Sequence, residues 1–328
     1  MPTRRQTLAL GLAALPILAA GPASAQGGGD YPNRPIRIVV GFAAGGGTDI
    51  TVRTMAPKLQ ALLGQPIIVE NRSGAGGNLA TEQVVRAPPD GYTLLMGTVA
   101  SLAINPTLHR NLAFDPQADL APISLSVEVT NILAVPADRP WRSLGELVAA
   151  AKARPDTLAY GSSGVGGAGH LAGALLDQSA GIRTVHVPYR GGGALITDLI
   201  SGKVDFAFAT AATTLAHVES GRLRVLAVPT AARSSLAPEV PTVAESGLPG
   251  YEVPNWYALL GPKGLPQPIV DRLNAAMRAT LQDPEVVQSL AKHGVEPRPS
   301  SAQDLARFIR EETAKWAPIV RASGATVD

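Results

Sequence analysis

Three glycine-rich segments, each following a short apolar strand and preceding a helical stretch, could bind an anionic group. They occupy residues 41–49, 162–169 and 189–193. Each arrangement delivers backbone N–H groups to the positive end of a helix, where an anion binds without a charged side chain. In the first segment, the glycines let the backbone approach a ligand, and Thr48 can cap the helix or face a ligand oxygen. A tight turn with nothing bound would have the same sequence, so each segment alone leaves both interpretations open.

The second segment also contains residue types that a hydrolase would use. Ser162 and Ser163 precede His170, and Asp205 lies in a later apolar strand. The G-x-S-x-G elbow of a nucleophilic serine is absent, however, because Val165 occupies the position of its second glycine. Such a serine, histidine and aspartate set is common by chance, because a triad is defined by geometry. A secreted hydrolase that uses Ser163 and His170 therefore remains an alternative prediction.

A dinucleotide site is a second enzymatic alternative, since residues 164–169 match G-x-G-x-x-G between a strand and a helix. The acidic residue expected about 20 positions later is replaced by Tyr189 and Arg190. Arg190 could contact a 2′-phosphate, pair with a ligand carboxylate or remain a solvated cation. Tyr189 offers an apolar ring with one hydroxyl, which suits contact with a small organic acid.

The N-terminus has the order of an export signal. Arg4 and Arg5 precede the apolar run 8–15, and residues 23–25 form an A-x-A cleavage site. This order predicts cleavage after Ala25 and export to the periplasm by the Sec or the twin-arginine route. Removal of the two arginines leaves 26 basic residues (28 − 2) against 26 acidic residues. The resulting formal charge of zero gives no indication of nucleic-acid binding.

Metal and cofactor sites find no support in the composition. The chain has no cysteine, which excludes disulfides and thiolate metal ligands. Its five histidines lack H-E-x-x-H or any other paired ligand spacing. We therefore predict that the protein binds neither a metal ion nor a cofactor.

The elements that must position the three segments alternate between short apolar strands and helices, which predicts parallel sheets covered by helices. Two extended apolar stretches, residues 123–127 and 251–260, resemble crossovers between lobes. They predict a discontinuous first lobe, residues 26–125 with 252–328, and a continuous second lobe, residues 126–251. The C-terminal tail has the spacing of amphipathic helices, and we expect it to pack on the first lobe.

Several motifs together resemble the substrate-binding receptors of tripartite tricarboxylate transporters, the TctC or Bug family. The matching segments, which follow one another from about residue 30 to the end, include YPNRPIRIVVGFAAGGGTD, IIVENRSGAGGNLATEQVVRAPPDGYTLL, LAYGSSGVGGAGHLAGALL, VPYRGGGALITDLISGKVDFAF, RLRVLAV and PTVAESGLPGYEVPNWYALLGPKGLP. The resemblance implies an α/β, two-lobed periplasmic binding protein of type II-like fold. It further implies two crossover strands and a ligand cleft between the lobes.

The resemblance also implies ligand contacts made by loops of both lobes, with Asp49 fixing the first loop instead of touching the anion. The implied ligand-binding residues are Phe42, Ala44, Gly45, Gly46, Thr48, Thr98, Ser101, Ser162, Ser163, Gly166, His170, Tyr189, Gly191, Gly192, Asp205 and Ala209. The implied protein is a monomeric receptor without catalytic activity. Its partners would be a small organic acid and the membrane components of the transporter, with a sensor protein as a further partner if the role is sensing.

Overall fold

The predicted alternation of strands and helices is present in the computed structural model, which describes residues 31–234 and 237–322. The predicted signal, residues 1–25, lies outside this part of the chain. The strands are β1 (Ile36–Val40), β2 (Ile67–Asn71), β3 (Thr93–Thr98), β4 (Leu120–Val129), β5 (Asn131–Pro136), β6 (Ala159–Ser162), β7 (Val185–Pro188), β8 (Phe206–Thr210), β9 (Leu223–Ala227), β10 (Trp256–Pro262) and β11 (Val295–Pro297). The α-helices are α1 (Gly47–Leu63), α2 (Asn78–Val85), α3 (Asn105–Leu108), α4 (Pro116–Asp119), α5 (Leu144–Ala153), α6 (Ala168–Ala180), α7 (Gly192–Ile200), α8 (Ala211–Glu219), α9 (Gln267–Gln282), α10 (Pro284–Ala291) and α11 (Ala302–Ala322). A short 3-10 helix spans Ala75–Gly77, and a π-helix spans Ala100–Ile104.

The strands form two sheets. The first sheet has the order β11-β4-β10-β3-β1-β2, and the second has the order β7-β6-β8-β5-β9. We call each sheet, together with the helices packed on it, a lobe. Parallel pairing was predicted, and it joins β1 to β2 and β3 as well as β6 to β7 and β8. The strands that enter or leave a crossover, β4, β5 and β10, run antiparallel to their neighbours, so both sheets are mixed.

The chain changes sheets at two neighbouring places. It leaves the first sheet after Val129 and enters the second at Asn131, and it returns to the first at Trp256. The two predicted crossover stretches contribute to β4 and β10, which pair with each other. The observed changes of sheet fall a few residues later than the lobe boundaries predicted at residues 125 and 252. The exact residues that bound the two lobes therefore stay a prediction.

The C-terminal helices pack on the first sheet through buried polar and aromatic side chains. Trp256 on β10 and Trp316 on α11 are fully buried, and both indole N–H groups donate to Oε2 of Glu312, at 2.8 and 3.2 Å. Asn274 on α9 donates to the carbonyl oxygen of Ile123 on β4 at 2.7 Å. These contacts anchor the tail to the strand pair that contains the crossovers. No helix within the described residues has the length and apolar character needed to span a membrane.

Candidate functional site

A cleft lies between the two sheets, where the strand ends of one sheet face the strand ends of the other. The carboxyl ends of β1, β3, β6 and β8 lead into it, as do the amino ends of the antiparallel strands β5 and β10. Ligands of open α/β sheets bind at this edge, outside the carboxyl ends of the parallel strands. The residues that line the cleft are Phe42, Gly46, Gly47, Thr48, Thr98, Val99, Ala100, Asn131, Ser163, Gly167, Ala168, Gly169, Gly192, Leu195, Phe208, Ala209, Thr210, Thr213, Asn255 and Tyr257.

Three helices begin at the cleft, each with a glycine as its N-cap. Gly46 precedes α1, Gly167 precedes α6 and Gly191 precedes α7, and none of the three caps makes a side-chain hydrogen bond within the described residues. The first N–H groups of a helix have no intrahelical partner, so these ends can donate to a bound anion. Two roles were open for Thr48, capping the helix or facing a ligand oxygen. The structure excludes the first, because Gly46 is the N-cap and Thr48 is the second residue of α1.

Asp49 holds the first loop against the start of α1. Its Oδ2 accepts from the N–H of Gly45 at 2.9 Å, and its Oδ1 accepts from Arg53 and from Asn71, both at 2.9 Å. Burial raises the pKa of the Asp49 carboxyl, but these hydrogen bonds outweigh burial and lower the pKa below its usual value. The carboxylate therefore stays ionised and satisfied inside the loop, which leaves the helix N–H groups for another partner.

Thr98, at the end of β3, lines the cleft and carries an unsatisfied hydroxyl. Its Oγ1 is buried and has no hydrogen-bond partner among the described residues. A buried hydroxyl without a partner costs about 1–3 kcal/mol, so such an atom requires an explanation. Ser101, which was predicted beside it, is not among the lining residues, and its hydroxyl hydrogen-bonds with the backbone N–H and C=O of Thr98 at 3.3 and 3.4 Å.

Residues of the two crossovers form the floor of the cleft, and none of them was predicted as a ligand contact. Tyr257 on β10 is buried, and its hydroxyl hydrogen-bonds with the side chains of Thr48 and Asn255. Burial raises the pKa of Tyr257, whereas these two hydrogen bonds act in the opposite direction. The hydroxyl is therefore neutral. Asn131 completes the floor from the start of β5. The signal that could have identified these residues is their position in the chain. They lie at the amino ends of β5 and β10, which run antiparallel to their neighbours and so begin at the cleft.

The charge and size of the cleft limit the group that it can hold. Within the described residues, no aspartate, glutamate, lysine, arginine or histidine lines it. Its polar groups are hydroxyls, side-chain amides and backbone N–H groups, which can stabilise a carboxylate without a paired cation. The cavity volume is about 50 Å³, which exceeds the ~10–15 Å³ that one water requires in a cavity. A carboxylate group fits this space.

Two of the predicted residues, Ser162 and His170, form a largely buried cluster with His186 beneath the loop. Oγ of Ser162 lies 2.7 Å from Nε2 of His186, and Nδ1 of His170 accepts from the N–H of Gly166 at 3.1 Å. The two imidazoles stack with ring centroids 4.0 Å apart. Burial lowers the pKa of His170 to about 4, and burial together with His170 lowers the pKa of His186 to about 3.

This cluster stabilises the loop and does not resemble a catalytic triad. The serine–histidine hydrogen bond involves Ser162 and His186, whereas the hydrolase prediction used Ser163 and His170. Ser162 is fully buried, and its hydroxyl donates its one hydrogen to the carbonyl oxygen of Gly164 at 2.9 Å. A nucleophile needs an accessible oxygen aimed at the substrate, so this arrangement is structural.

Asp205 lies at the wrong end of its strand for the predicted ligand contact. It immediately precedes β8, next to the amino end of β6, whereas the cleft is at the carboxyl ends of both strands. Its carboxylate accepts from the N–H of Ala159 at 2.8 Å and pairs with Arg139 at 2.8 Å. We predicted Asp205 because it is the acidic residue of this segment. The direction of β8 places the last residues of the strand, Ala209 and Thr210, at the cleft instead.

The remaining predicted residues divide by location. Seven line the cleft: Phe42, Gly46, Thr48, Thr98, Ser163, Gly192 and Ala209. Ala44 and Gly45 are exposed at the tip of the first loop, and Gly191 lies against Ala43 as the cap of α7. Tyr189 lines a neighbouring cavity, and its hydroxyl donates to Asp198 at 3.0 Å.

Comparison with known proteins agrees with this geometry. Residues 51–325 match the model of the tripartite tricarboxylate transporter family receptor. The chain is 36% identical to Protein BugT of Bordetella pertussis over 310 residues, which cover 94% of this chain and 95% of BugT.

Two ligand-bound structures from Rhodopseudomonas palustris have the same fold. Rpa4515 with adipate superimposes with a TM-score of 0.87 at 36% identity, covering 90% of this chain and 99% of that chain. MatC with bound malate superimposes with a TM-score of 0.84 at 32% identity, covering 88% of this chain and 100% of that chain. The two-lobed periplasmic binding protein fold is thereby confirmed, and the enzymatic alternatives gain no support. The chain belongs to the family of tripartite tricarboxylate transporter receptors.

Proposed function

We propose that this protein captures a small organic acid by one carboxylate in the cleft between its lobes. The observation that carries the proposal is the unsatisfied hydroxyl of Thr98, a residue that lines a cleft without charged side chains at which three helices begin after glycine N-caps. A carboxylate oxygen would satisfy this hydroxyl and the free N–H groups at the same time. No cation is required, because several N–H donors can keep a carboxylate ionised.

The proposed contacts combine predicted residues with residues that the fold adds. Phe42, Gly46, Thr48, Thr98, Ser163, Gly192 and Ala209 were predicted from the sequence, and Gly47, Gly169, Thr210, Asn131, Asn255 and Tyr257 join them by their position in the cleft. Ser162, Gly166 and His170 act one layer below by fixing the loop. Asp205 has no place in the proposed contact set.

We propose a dicarboxylate as the class of ligand. Two relatives of known structure hold adipate and malate, both dicarboxylates. Bound acid would touch both lobes and so favour the closed arrangement, with the two crossovers acting as the hinge. The protein would release the acid unchanged to the membrane components of a tripartite transporter, after export to the periplasm and cleavage after Ala25.

A thermal-shift screen of the mature protein tests this proposal. The panel contains dicarboxylates, tricarboxylates, amino acids, aromatic acids and NAD(P). A ligand at about 100 times its Kd adds about 2.7 kcal/mol, which is several degrees for a chain of this size. We expect a saturable shift with at least one dicarboxylate, which chromatography then recovers unchanged. A shift with a nucleotide alone, or consumption of the acid, would contradict the proposal.

A further inference from the structure

A second and larger cavity adjoins the cleft and has no role in the function described so far. Its volume is about 620 Å³, and it shares Phe42 and Ser163 with the cleft. Its other lining residues come from both lobes: Gly41, Ser73, Gly74, Ala75, Gly76, Gly77, Leu79 and His109 from the first, and Gly164, Val165, Pro188, Tyr189 and Arg190 from the second. A molecule that fills it therefore contacts both lobes.

The volumes of the two cavities suggest that they hold different parts of one ligand. The cleft, at about 50 Å³, accommodates a carboxylate group, whereas 620 Å³ lies within the ~300–1,000 Å³ that is usual for ligand pockets. Because the cavities share Phe42 and Ser163, a ligand anchored in the cleft can extend past these two residues into the larger space. The rest of the acid would then lie in the second cavity.

The walls of the larger cavity are suited to a carbon chain. Phe42, Val165 and Tyr189 contribute apolar surface, and Leu79 is 43% exposed, which is unusual for a leucine in this structure. The hydroxyl of Tyr189 is held away as a donor to Asp198, which in turn pairs with Lys203 at 2.9 Å. The ring of Tyr189, and not its hydroxyl, is therefore available to contact a ligand in the cavity.

One cation stands at this cavity without a counterion. The guanidinium of Arg190 is exposed and makes no ion pair or hydrogen bond with any described residue. No aspartate or glutamate is among the lining residues in the described part of the chain, and burial lowers the pKa of His109, the other titratable nitrogen base there. An anionic group in the cavity would meet Arg190 and no repelling carboxylate, and arginine binds carboxylates through two parallel hydrogen bonds.

We propose that this cavity is a specificity site for the distal half of an extended dicarboxylate. The spacer lies against Leu79, Val165 and Tyr189, and the second carboxylate pairs with Arg190. This inference rests on the proposed function, because it assumes that the first carboxylate occupies the cleft. Such a site would bind extended dicarboxylates more tightly than short acids and more tightly than monocarboxylates of equal length.

Isothermal titration calorimetry of the mature protein tests the inference. The ligands are succinate, glutarate, adipate, pimelate and suberate, each paired with the straight-chain monocarboxylate of the same carbon number. We expect the dicarboxylate of each longer pair to bind more tightly. Arg190→Gln should lower the ratio of dicarboxylate to monocarboxylate affinity roughly tenfold. Arg154→Gln removes another exposed arginine of the second lobe, away from the cavity, and should leave this ratio unchanged.

A second pair of variants tests the apolar wall. Tyr189→Phe keeps the ring and should change adipate affinity less than about threefold, whereas Tyr189→Ala should weaken it by roughly tenfold. The melting temperature of each variant shows whether the lobe remains folded. If acids bind but Arg190→Gln leaves the affinity ratio unchanged, the inference is wrong and the proposed function stands. If no acid of either series binds the unsubstituted protein, the proposed function itself is contradicted.

Discussion

Asn255 donates a hydrogen bond from Nδ2 to Oδ1 of Asn131, at 3.1 Å, and so joins the two crossovers between the lobes. A backbone hydrogen bond from Val129 to the carbonyl oxygen of Asn255, at 2.8 Å, supports the same junction. Both asparagines are buried and line the cleft. The residues that connect the lobes therefore also form the floor on which the ligand carboxylate is proposed to rest.

This pair should contribute to stability as a unit. Asn131→Ala and Asn255→Ala each leave a buried amide without its partner, which costs about 1–3 kcal/mol in the free energy of unfolding. The double variant should lose less than the sum of the two single losses, because it leaves no unpaired amide. Urea unfolding of the three variants measures this coupling. Strictly additive losses would show that the hydrogen bond does not join the crossovers in solution.

The approach of the lobes should depend on the absence of a side chain at Gly47. A Cβ at this position would lie 2.7 Å from Oγ1 and 3.0 Å from Cβ of Thr210, on the opposite lobe. Gly47→Ala should therefore hold the lobes apart and weaken ligand binding by tenfold or more, while the melting temperature of the free protein changes little. Calorimetry measures the affinity.

Gly193→Ala is the matched control, since it also places an alanine in the first turn of a helix near the cleft. A Cβ at Gly193 would have no heavy atom within 4 Å. We expect unchanged affinity for this variant. Equal affinities for Gly47→Ala and Gly193→Ala would contradict the proposed closure.

Substitution of Thr98 should change stability and affinity in opposite directions. Thr98→Val replaces the unsatisfied hydroxyl by a methyl group of similar size, so the free protein should gain up to about 1 kcal/mol in unfolding free energy. Affinity should fall tenfold or more, because a hydrogen bond to a charged group contributes about 1.5–3 kcal/mol. Thr280→Val is the control: its buried hydroxyl donates to the carbonyl oxygen of Ala276 in α9, away from the cleft. Unaltered affinity of Thr98→Val would remove this hydroxyl from the site.

The histidine cluster should make the second lobe sensitive to acid. The pKa of His170 and that of His186 are lowered from 6.5 to about 4 and about 3. The unfolded chain therefore binds protons first as the pH falls. The stability that the neutral imidazoles contribute is complete above pH 6.5 and is lost progressively as the pH falls, down to about pH 4 for His170 and about pH 3 for His186. At about pH 5 the loss for His170 is about 2 kcal/mol.

Urea unfolding at pH 7.5 and pH 5.0 measures this loss. His186→Phe retains an aromatic ring between Tyr160 and His170 and removes one of the two titrating groups, so the difference between the two pH values should shrink. His293→Gln, which changes a histidine outside the cluster, should leave the difference unchanged. An equal pH dependence in His186→Phe and the unsubstituted protein would contradict the assignment.

The sequence was most informative where local chemistry alone decides the structure. The loop before α1 was predictable because successive glycines after an apolar strand permit a helix start with free N–H groups. Capping by Thr48 was one of two roles that the sequence allowed, but Gly46 is the N-cap and the Thr48 side chain hydrogen-bonds with Tyr257. Asn131, Asn255 and Tyr257 were missed as ligand contacts because nothing in their local sequence marks them as such, although Asn255 and Tyr257 lie in one of the segments that resemble the family. Only the antiparallel course of β5 and β10 brings their amino ends to the cleft.

The crystal structure of the protein with the acid identified by the thermal-shift screen is the most direct test. We predict electron density for one ligand carboxylate in the cleft, with an oxygen about 3 Å from Oγ1 of Thr98 and from N–H groups at the starts of α1 and α6. Density for the ligand outside the cleft, with the Thr98 hydroxyl still without a partner, would contradict it.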